Sequence, residues 1–261
     1  MAPQFVDFNA DGHTDIFTAT FDGSPWVALG GKEGFQQPQH IRDKNGERVR
    51  LSQYWDYESK KWTHKDHTGG VDPNAHCISA YAFDWDADGD LDLVLGGRDG
   101  YLWLQLNEGS AKEPKFSGTS QRILCGDKAL DAGDKITSPR LVDFDGDGLS
   151  DLVLGTFGDS YGDGKGGSIK WYRNTGKKGA PVFAPAQTLV DASDKSSKEA
   201  TRPDGGLYFD LADLNGDGLL DLIIGGYSMW TSEGSPKGRA TVARKPHVWV
   251  YHQKPKTDAA K

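Results

Sequence analysis

Apolar runs of three or four residues recur along the chain, each following directly on an acidic cluster: Ile16-Phe17-Thr18, Leu93-Val94-Leu95-Gly96, Leu152-Val153-Leu154-Gly155 and Leu222-Ile223-Ile224-Gly225. They are strand-length and rich in β-branched residues, too short for helices. After a turn, each leads to an aromatic run: Trp26-Val27-Ala28-Leu29, Tyr101-Leu102-Trp103-Leu104, Ile169-Lys170-Trp171-Tyr172 and Val248-Trp249-Val250-Tyr251. A further strand is expected over 114–124 and 181–190, and more loosely over 35–41. Another precedes each acidic cluster, as the alignment of Ala2-Pro3-Gln4-Phe5-Val6-Asp7 with Ser138-Pro139-Arg140-Leu141-Val142-Asp143 shows. Unit four has no clear counterpart of the last strand after Tyr251. No segment carries a sustained 3.6-residue period flanked by caps.

Four units of about four strands each predict an all-β chain. Such repeats close most economically as a β-propeller, in which every blade buries its faces against its neighbours. The expectation is one propeller domain over 1–253 with four recognisable blades, and a frayed tail over 254–261. If the first strand of a blade enters the acidic loop at one rim, the second returns to the opposite rim. The long loops 44–79, 158–167, 191–206 and 228–246 then all fall on that opposite rim. Loops of this length in compact domains are usually functional or disordered.

The acidic clusters share the pattern D-x-[DN]-x-D-G-x-x-D. They are Asp7, Asn9, Asp11 and Asp15; Asp84, Asp86, Asp88 and Asp92; Asp143, Asp145, Asp147 and Asp151; and Asp213, Asn215, Asp217 and Asp221. Carboxylates at alternate positions before a glycine converge on one point, and their repulsion is relieved by a hard cation. Ca²⁺ accepts 6–8 oxygen ligands. An EF-hand would place Glu at position 12, where this chain has Thr18, Leu95, Leu154 and Ile224; the closing carboxylate stands at position 9 instead. Position 7 varies chemically (His13, Asp90, Leu149, Leu219), as expected where the backbone carbonyl is the ligand. The competing reading, that Asp-Gly and Asn-Gly are only turn formers, does not account for four loops that each run into a strand at the ninth position. Up to four structural Ca²⁺ ions are expected, and four would neutralise the formal net charge of −8.

Composition narrows the class without changing the fold. Counting the 34 glycines and leaving out the 9 tyrosines brings the apolar share to about 46%, ordinary for a globular chain. The acidic balance argues against nucleic-acid binding, which uses a basic face. No apolar run approaches the ~18 residues of a spanning helix, so membrane insertion is not expected. Cys77 and Cys125 fit neither zinc nor redox spacing, and either one bridge or two buried thiols is compatible with them.

The 44–79 insertion holds Tyr54, Trp55, Tyr57, Trp62, His64, His67 and His76. Such aromatics either stack on a sugar or protein partner or fold the insertion onto the propeller as a satellite core. Tyr161 and Trp230 occupy comparable rim positions and are further ligand candidates. The three histidines lack a nearby third ligand for a transition-metal site. Gly162–Ser168 lacks the phosphate-loop register and reads as a turn. Lys237, Arg239, Arg244 and Lys245 read as a solvated edge.

The loop motif followed by Leu-Val-Leu-Gly resembles the FG-GAP/VCBS repeat family, found in integrin α-subunit heads, fungal lectins and many exported bacterial proteins. The resemblance implies a calcium-bearing propeller used for adhesion or carbohydrate binding, and more rarely the scaffold of a polysaccharide lyase. The leading expectation is a non-enzymatic, exported module binding a glycan or protein through the rim opposite the acidic loops; millimolar calcium outside cells suits sites of this kind. The competing class is a lyase, in which a Tyr or His of the first insertion abstracts a proton beside a uronic carboxylate neutralised by Arg or Lys. A structural spacer is the third. Oligomeric state is not legible.

Overall fold

The computed structural model describes residues 3–64, 75–158, 166–192, 203, 205–230 and 243–254. Among these there is no helix, and the strands form a four-bladed β-propeller. Blade one comprises Gln4–Val6, Asp15–Ala19, Pro25–Ala28 and Gln39–His40. Blade two comprises Cys77–Phe83, Asp92–Gly97, Leu102–Gln105 and Gln121–Arg122. Blade three comprises Thr137–Val142, Asp151–Thr156, Ile169–Tyr172 and Gln187–Val190. Blade four has three strands, Gly205–Ala212, Asp221–Trp230 and Ala243–Tyr251, in agreement with the missing fourth-strand pattern. All pairings are antiparallel between sequential strands, so the acidic loops share one rim and the long connections leave from the other.

Strand alternation explains the packing. In blade two, Leu93 and Leu95 join Phe17, Ala19 and Val27 of blade one in one core cluster. The intervening Val94, with Leu102 and Leu104, packs against Leu141, Leu152 and Leu154 of blade three. Val153 and Ile169 of blade three meet Phe209, Leu222 and Ile224 of blade four in the same manner. A blade strand therefore needs apolar residues on both faces, which is why these runs are continuous and not alternating. Burying each such side chain contributes about 1.5–3 kcal/mol.

The fourth strands are shorter than the apolar pattern suggests. The segments expected to begin them, at Pro114 and Pro181, instead deliver Phe116 and Phe183 as buried plugs, bridged to Asn107 and Asn174. Both plugs end the motif N-x-G-x₄-P-x-F, at 107–116 and 174–183. Asn107 Oδ1 accepts the N–H of Gly109 (2.9 Å) and Lys115 (2.7 Å), and Asn174 Oδ1 accepts those of Gly176 (2.9 Å) and Val182 (3.1 Å). A proline cannot donate to a central ladder, and here it sets the turn before the plug.

Both cysteines are free. Cys77 is buried, with its thiol directed at the Ser79 carbonyl (3.3 Å) and burial pushing its pKa up. Cys125 contacts the Ala184 carbonyl (3.4 Å). Of the two readings the sequence left open, the bridge is absent and the buried thiols hold in part, with Cys77 buried and Cys125 only half-buried.

Candidate metal centres

Each acidic loop is a tight turn whose glycine at position 6 has positive φ: Gly12 +87°, Gly89 +97°, Gly148 +88° and Gly218 +83°. Only glycine adopts this conformation without strain, so the residue recurs at that place in all four loops. Position 4 is also left-handed, with Ala10 and Ala87 in loops one and two and glycine in the other two. The first-position carboxylates organise the turn: Asp143 Oδ1 accepts the N–H of Gly146 (2.9 Å) and Asp147 (3.0 Å), and its Oδ2 that of Gly148 (2.9 Å). Asp213 does the same in loop four, and the Gly218 N–H foremost holds its carboxyl below the usual range. In loop one the His13 N–H foremost lowers Asp11.

The loops diverge in how they handle charge. In loop two, one oxygen from each of Asp84, Asp86 and Asp88 lies within 4.8 Å of the others. Asp84 Oδ1 and Asp90 Oδ1 are buried without a hydrogen-bond partner. Burial, followed by Asp88 and Asp86, raises the Asp90 pKa, and burial lifts Asp92 to about 6 against its backbone donors. In loop three Asp143, Asp145 and Asp147 form the same triad, but Arg173 pairs with Asp145 (2.8 Å) and Asp147 (2.8 Å). Loops one and four relieve themselves through Asn: Asn9 Nδ2 donates to Asp11 (3.1 Å) and Asn215 Nδ2 to Asp217 (3.0 Å). The position-7 residues His13, Asp90, Leu149 and Leu219 each donate their N–H to the position-5 carboxylate, at 2.9–3.0 Å.

The ninth-position aspartates are buried and clasp the loop to the blade. Asp15 accepts the N–H of Phe8 (2.7 Å) and Gly30 (2.7 Å), and Asp92 those of Trp85 (2.9 Å) and Asn107 (2.7 Å). Asp151 takes the N–H of Asn174 (2.6 Å) and the Trp171 indole (2.9 Å); burial raises its pKa. At Asp221 burial acts upward, but His252 (2.9 Å) and the N–H groups of Gln253 and Leu214 outweigh it and hold the carboxyl low. The same residue that was expected to close the cation cage thus also ties strand two to the loop and to the end of strand three.

Two clefts lie between neighbouring blades, the first of them on this rim. One, of about 240 Å³, lies between loops two and three, with Asp84, Trp85, Leu149 and Lys178 in its wall. The other, of about 480 Å³, lies between blades one and two near Asn9, His40 and Phe116.

On the opposite rim the first insertion forms a hairpin, Gln53–Asp56 with Lys61–His64. Trp55 and Trp62 are cross-strand partners with ring centroids 5.9 Å apart, and Trp62 packs on His76 at 5.1 Å. The hairpin crosses Gly23 so closely that a Cβ there would meet the Gln53 carbonyl at 2.4 Å, and φ at Gly23 is +91°. Beneath lies a polar network centred on the buried Asp22. It accepts the Thr20 hydroxyl (2.6 Å), the Ser24 N–H (3.2 Å), the Trp26 indole (3.0 Å) and Arg48 (3.4 Å). Arg48 in turn lies 4.1 Å over the Tyr54 ring. Burial, reinforced by Arg48, lowers His40 to about 4, so its 3.8 Å approach to Asp22 is dipolar and not an ion pair. Tyr57, raised by burial and Asp22, is 57% exposed, and Trp62 is 38% exposed.

Tyr54, Trp55, Tyr57 and Trp62 are therefore gathered on one hairpin: Trp55 and Trp62 share one face as cross-strand partners, Tyr54 lies on the other face under Arg48, and Tyr57 and Trp62 are partly exposed. The backbone of His64 pairs with Gln53 and that of Trp230 with Ala243. Their side chains lie outside the described residues, as do His67, Tyr161, Lys237, Arg239, most of the 158–167, 191–206 and 228–246 loops, and the tail after Lys254. Sequence reading missed the Asp22–Arg48 network, because Asp22 and Arg48 are 26 positions apart and neither sits in a motif. It also missed Arg173, whose place two residues after Trp171 at the acidic rim was the available signal.

Residues 84–154 and 143–224 each match the family model described as FG-GAP-like repeat, together more than half of the chain. No curated protein matches the chain significantly.

Proposed function

The chain belongs to the FG-GAP-like repeat family, and from that premise we propose that it is a calcium-stabilised, extracellular binding module that recognises a glycan or protein partner through the rim opposite the acidic loops. FG-GAP repeats in a propeller fit a binding or adhesion module. The observation that carries the calcium part is the orphaned Asp84 Oδ1 beside the Asp84, Asp86 and Asp88 triad: a buried carboxylate oxygen without a donor fits a cation. Asp84, Asp86 and Asp88, and in loop three Asp143, Asp145 and Asp147, would hold it. The ion supplies charge neutralisation, and the residues lock the loop between strands one and two.

For the ligand surface, Tyr57 and Trp62 carry the reading. They are exposed aromatics on a hairpin held by the Trp55–Trp62 pair on one face and by Tyr54 under Arg48 on the other, so little conformational entropy is lost on contact. The expected result of a glycan array and a pull-down with the wild-type protein is at least one binder, lost in Tyr57→Ala/Trp62→Ala while the circular dichroism spectrum is retained and the melting temperature falls only by the lost hairpin packing. Binding that survives the double variant would overturn the assignment of this hairpin, and release of an unsaturated uronate product from a polysaccharide would overturn the non-catalytic reading.

A further inference from the structure

The four blades leave two faces uncovered, and these are the two halves of one missing interface. Each blade uses one face toward the preceding blade and the other toward the following blade. On the forward face, Val248 of blade four stands where Leu102 and Ile169 stand in blades two and three, by their common pairing with Gly225, Gly96 and Gly155. Leu102 and Ile169 are 0% exposed, and Val248 is 75% exposed. Val250, opposite Ile223, corresponds to Leu104, opposite Val94; the exposures are 44% and 7%. On the backward face, Phe5 of blade one, opposite Ile16, corresponds to Ala82 opposite Leu93 and Leu141 opposite Leu152. Ala82 and Leu141 are 3% and 4% exposed, and Phe5 is 65% exposed.

Among the described residues no core cluster joins blade four to blade one; the three clusters join one to two, two to three and three to four. We infer that the forward face of blade four docks on the backward face of blade one of a second copy of this chain, head to tail, continuing the register of the three internal interfaces. The second copy is the occupant because its blade-one face repeats, by strand register, the backward faces that blades two and three present to their preceding neighbours. A pair of chains related by a two-fold axis buries both open ends at once, with each copy giving one forward and one backward face to the other. Exposed valines and a phenylalanine at positions buried in the equivalent blades mark an interaction surface. The inference rests on blade geometry and is independent of what the hairpin binds.

The test uses the whole chain in calcium at tens of micromolar protein, with mass read by light scattering on a sizing column. The wild-type protein is expected at twice 28.4 kDa. Val248→Asp/Val250→Asp and, separately, Phe5→Asp are each expected to run at half the wild-type mass with unchanged circular dichroism. Each variant keeps one intact face, so an equimolar mixture regains the dimer, whereas either alone does not. A wild-type monomer, variants that remain dimeric, or a mixture that stays monomeric would each overturn the head-to-tail arrangement. Should Phe5→Asp fail to fold, Phe5→Ser replaces it in the same mixing experiment.

Discussion

Asp22 and the acidic loop of blade two both concentrate negative charge, and the chain answers them in opposite ways. Around Asp22 the fold delivers a hydroxyl, a backbone N–H, an indole and a guanidinium within 3.4 Å, and leaves the adjacent His40 neutral. In the blade-two loop five aspartates crowd together, and Asp84 and Asp90 each keep a buried oxygen without a partner. The third loop is intermediate, since Arg173 supplies part of the missing counter-charge. A desolvated carboxylate is stable only with donors or an opposite charge beside it. Where the chain supplies these, the site is closed and structural; where it does not, the loop keeps the charge that the proposed cation would neutralise.

The largest expected effect separates the two regions. Each cation site held at a hundredfold excess over its dissociation constant adds about 2.7 kcal/mol. Losing two sites therefore lowers the melting temperature by about 10–20 °C for a chain of this size, read by thermal melts in excess Ca²⁺ against EDTA. Asp86→Ala should erase more of that shift than Asn9→Ala. Equal melts in calcium and chelator would mean that the loops close themselves as Asp22 does.

Next comes Arg48→Met, which strands the Asp22 carboxylate against a neutral imidazole. A cost of about 3 kcal/mol is expected, identical with and without calcium; a calcium-dependent cost would merge the two regions. The pH response is somewhat smaller. His40 has a folded pKa of about 4 against an ordinary 6.5, so between these values the unfolded chain binds a proton that the folded one refuses. His40's own contribution is complete above pH 6.5 and is lost as pH falls toward 4, by roughly 2–3 kcal/mol, while Asp92, lifted to about 6, acts in the opposite sense. Denaturant titrations at pH 7 and pH 4.5 should show the loss shrinking in His40→Gln.

Smaller still is Arg173→Gln. Arg173 is nearly half exposed, so its removal has little effect on stability without calcium. Its two carboxylates are then released, and calorimetric titration should find tighter Ca²⁺ binding at loop three. Weaker binding would show that Arg173 organises the site and does not compete for it. The least effect is expected from Ala87→Gly, which relieves the left-handed φ of +64° and stabilises by about 1 kcal/mol or less after the added chain entropy of glycine.

The propeller and its acidic loops were legible because both are local. An aspartate pattern that runs straight into Leu-Val-Leu specifies a turn and a strand within about ten residues, and four copies made the period visible. The fourth strands were read too long, since Pro114 and Pro181 look like strand beginnings until Phe116 and Phe183 are seen to fill holes beside Asn107 and Asn174. The aromatic insertion was read in two ways, and the hairpin combines them: Trp62 packs on Trp55 and His76 yet is exposed in part, as is Tyr57.

By itself the sequence determined the repeat, the all-β class, the positive-φ glycines and which carboxylates stand together, because each depends on neighbours within one loop or strand. Tertiary structure alone decided which of those carboxylates find a counter-charge, that Cys77 and Cys125 remain apart, and that Phe5, Val248 and Val250 are left uncovered. These turn on contacts between blades, where the partner of a residue is set by how two sheets pack and not by anything adjacent to it along the chain.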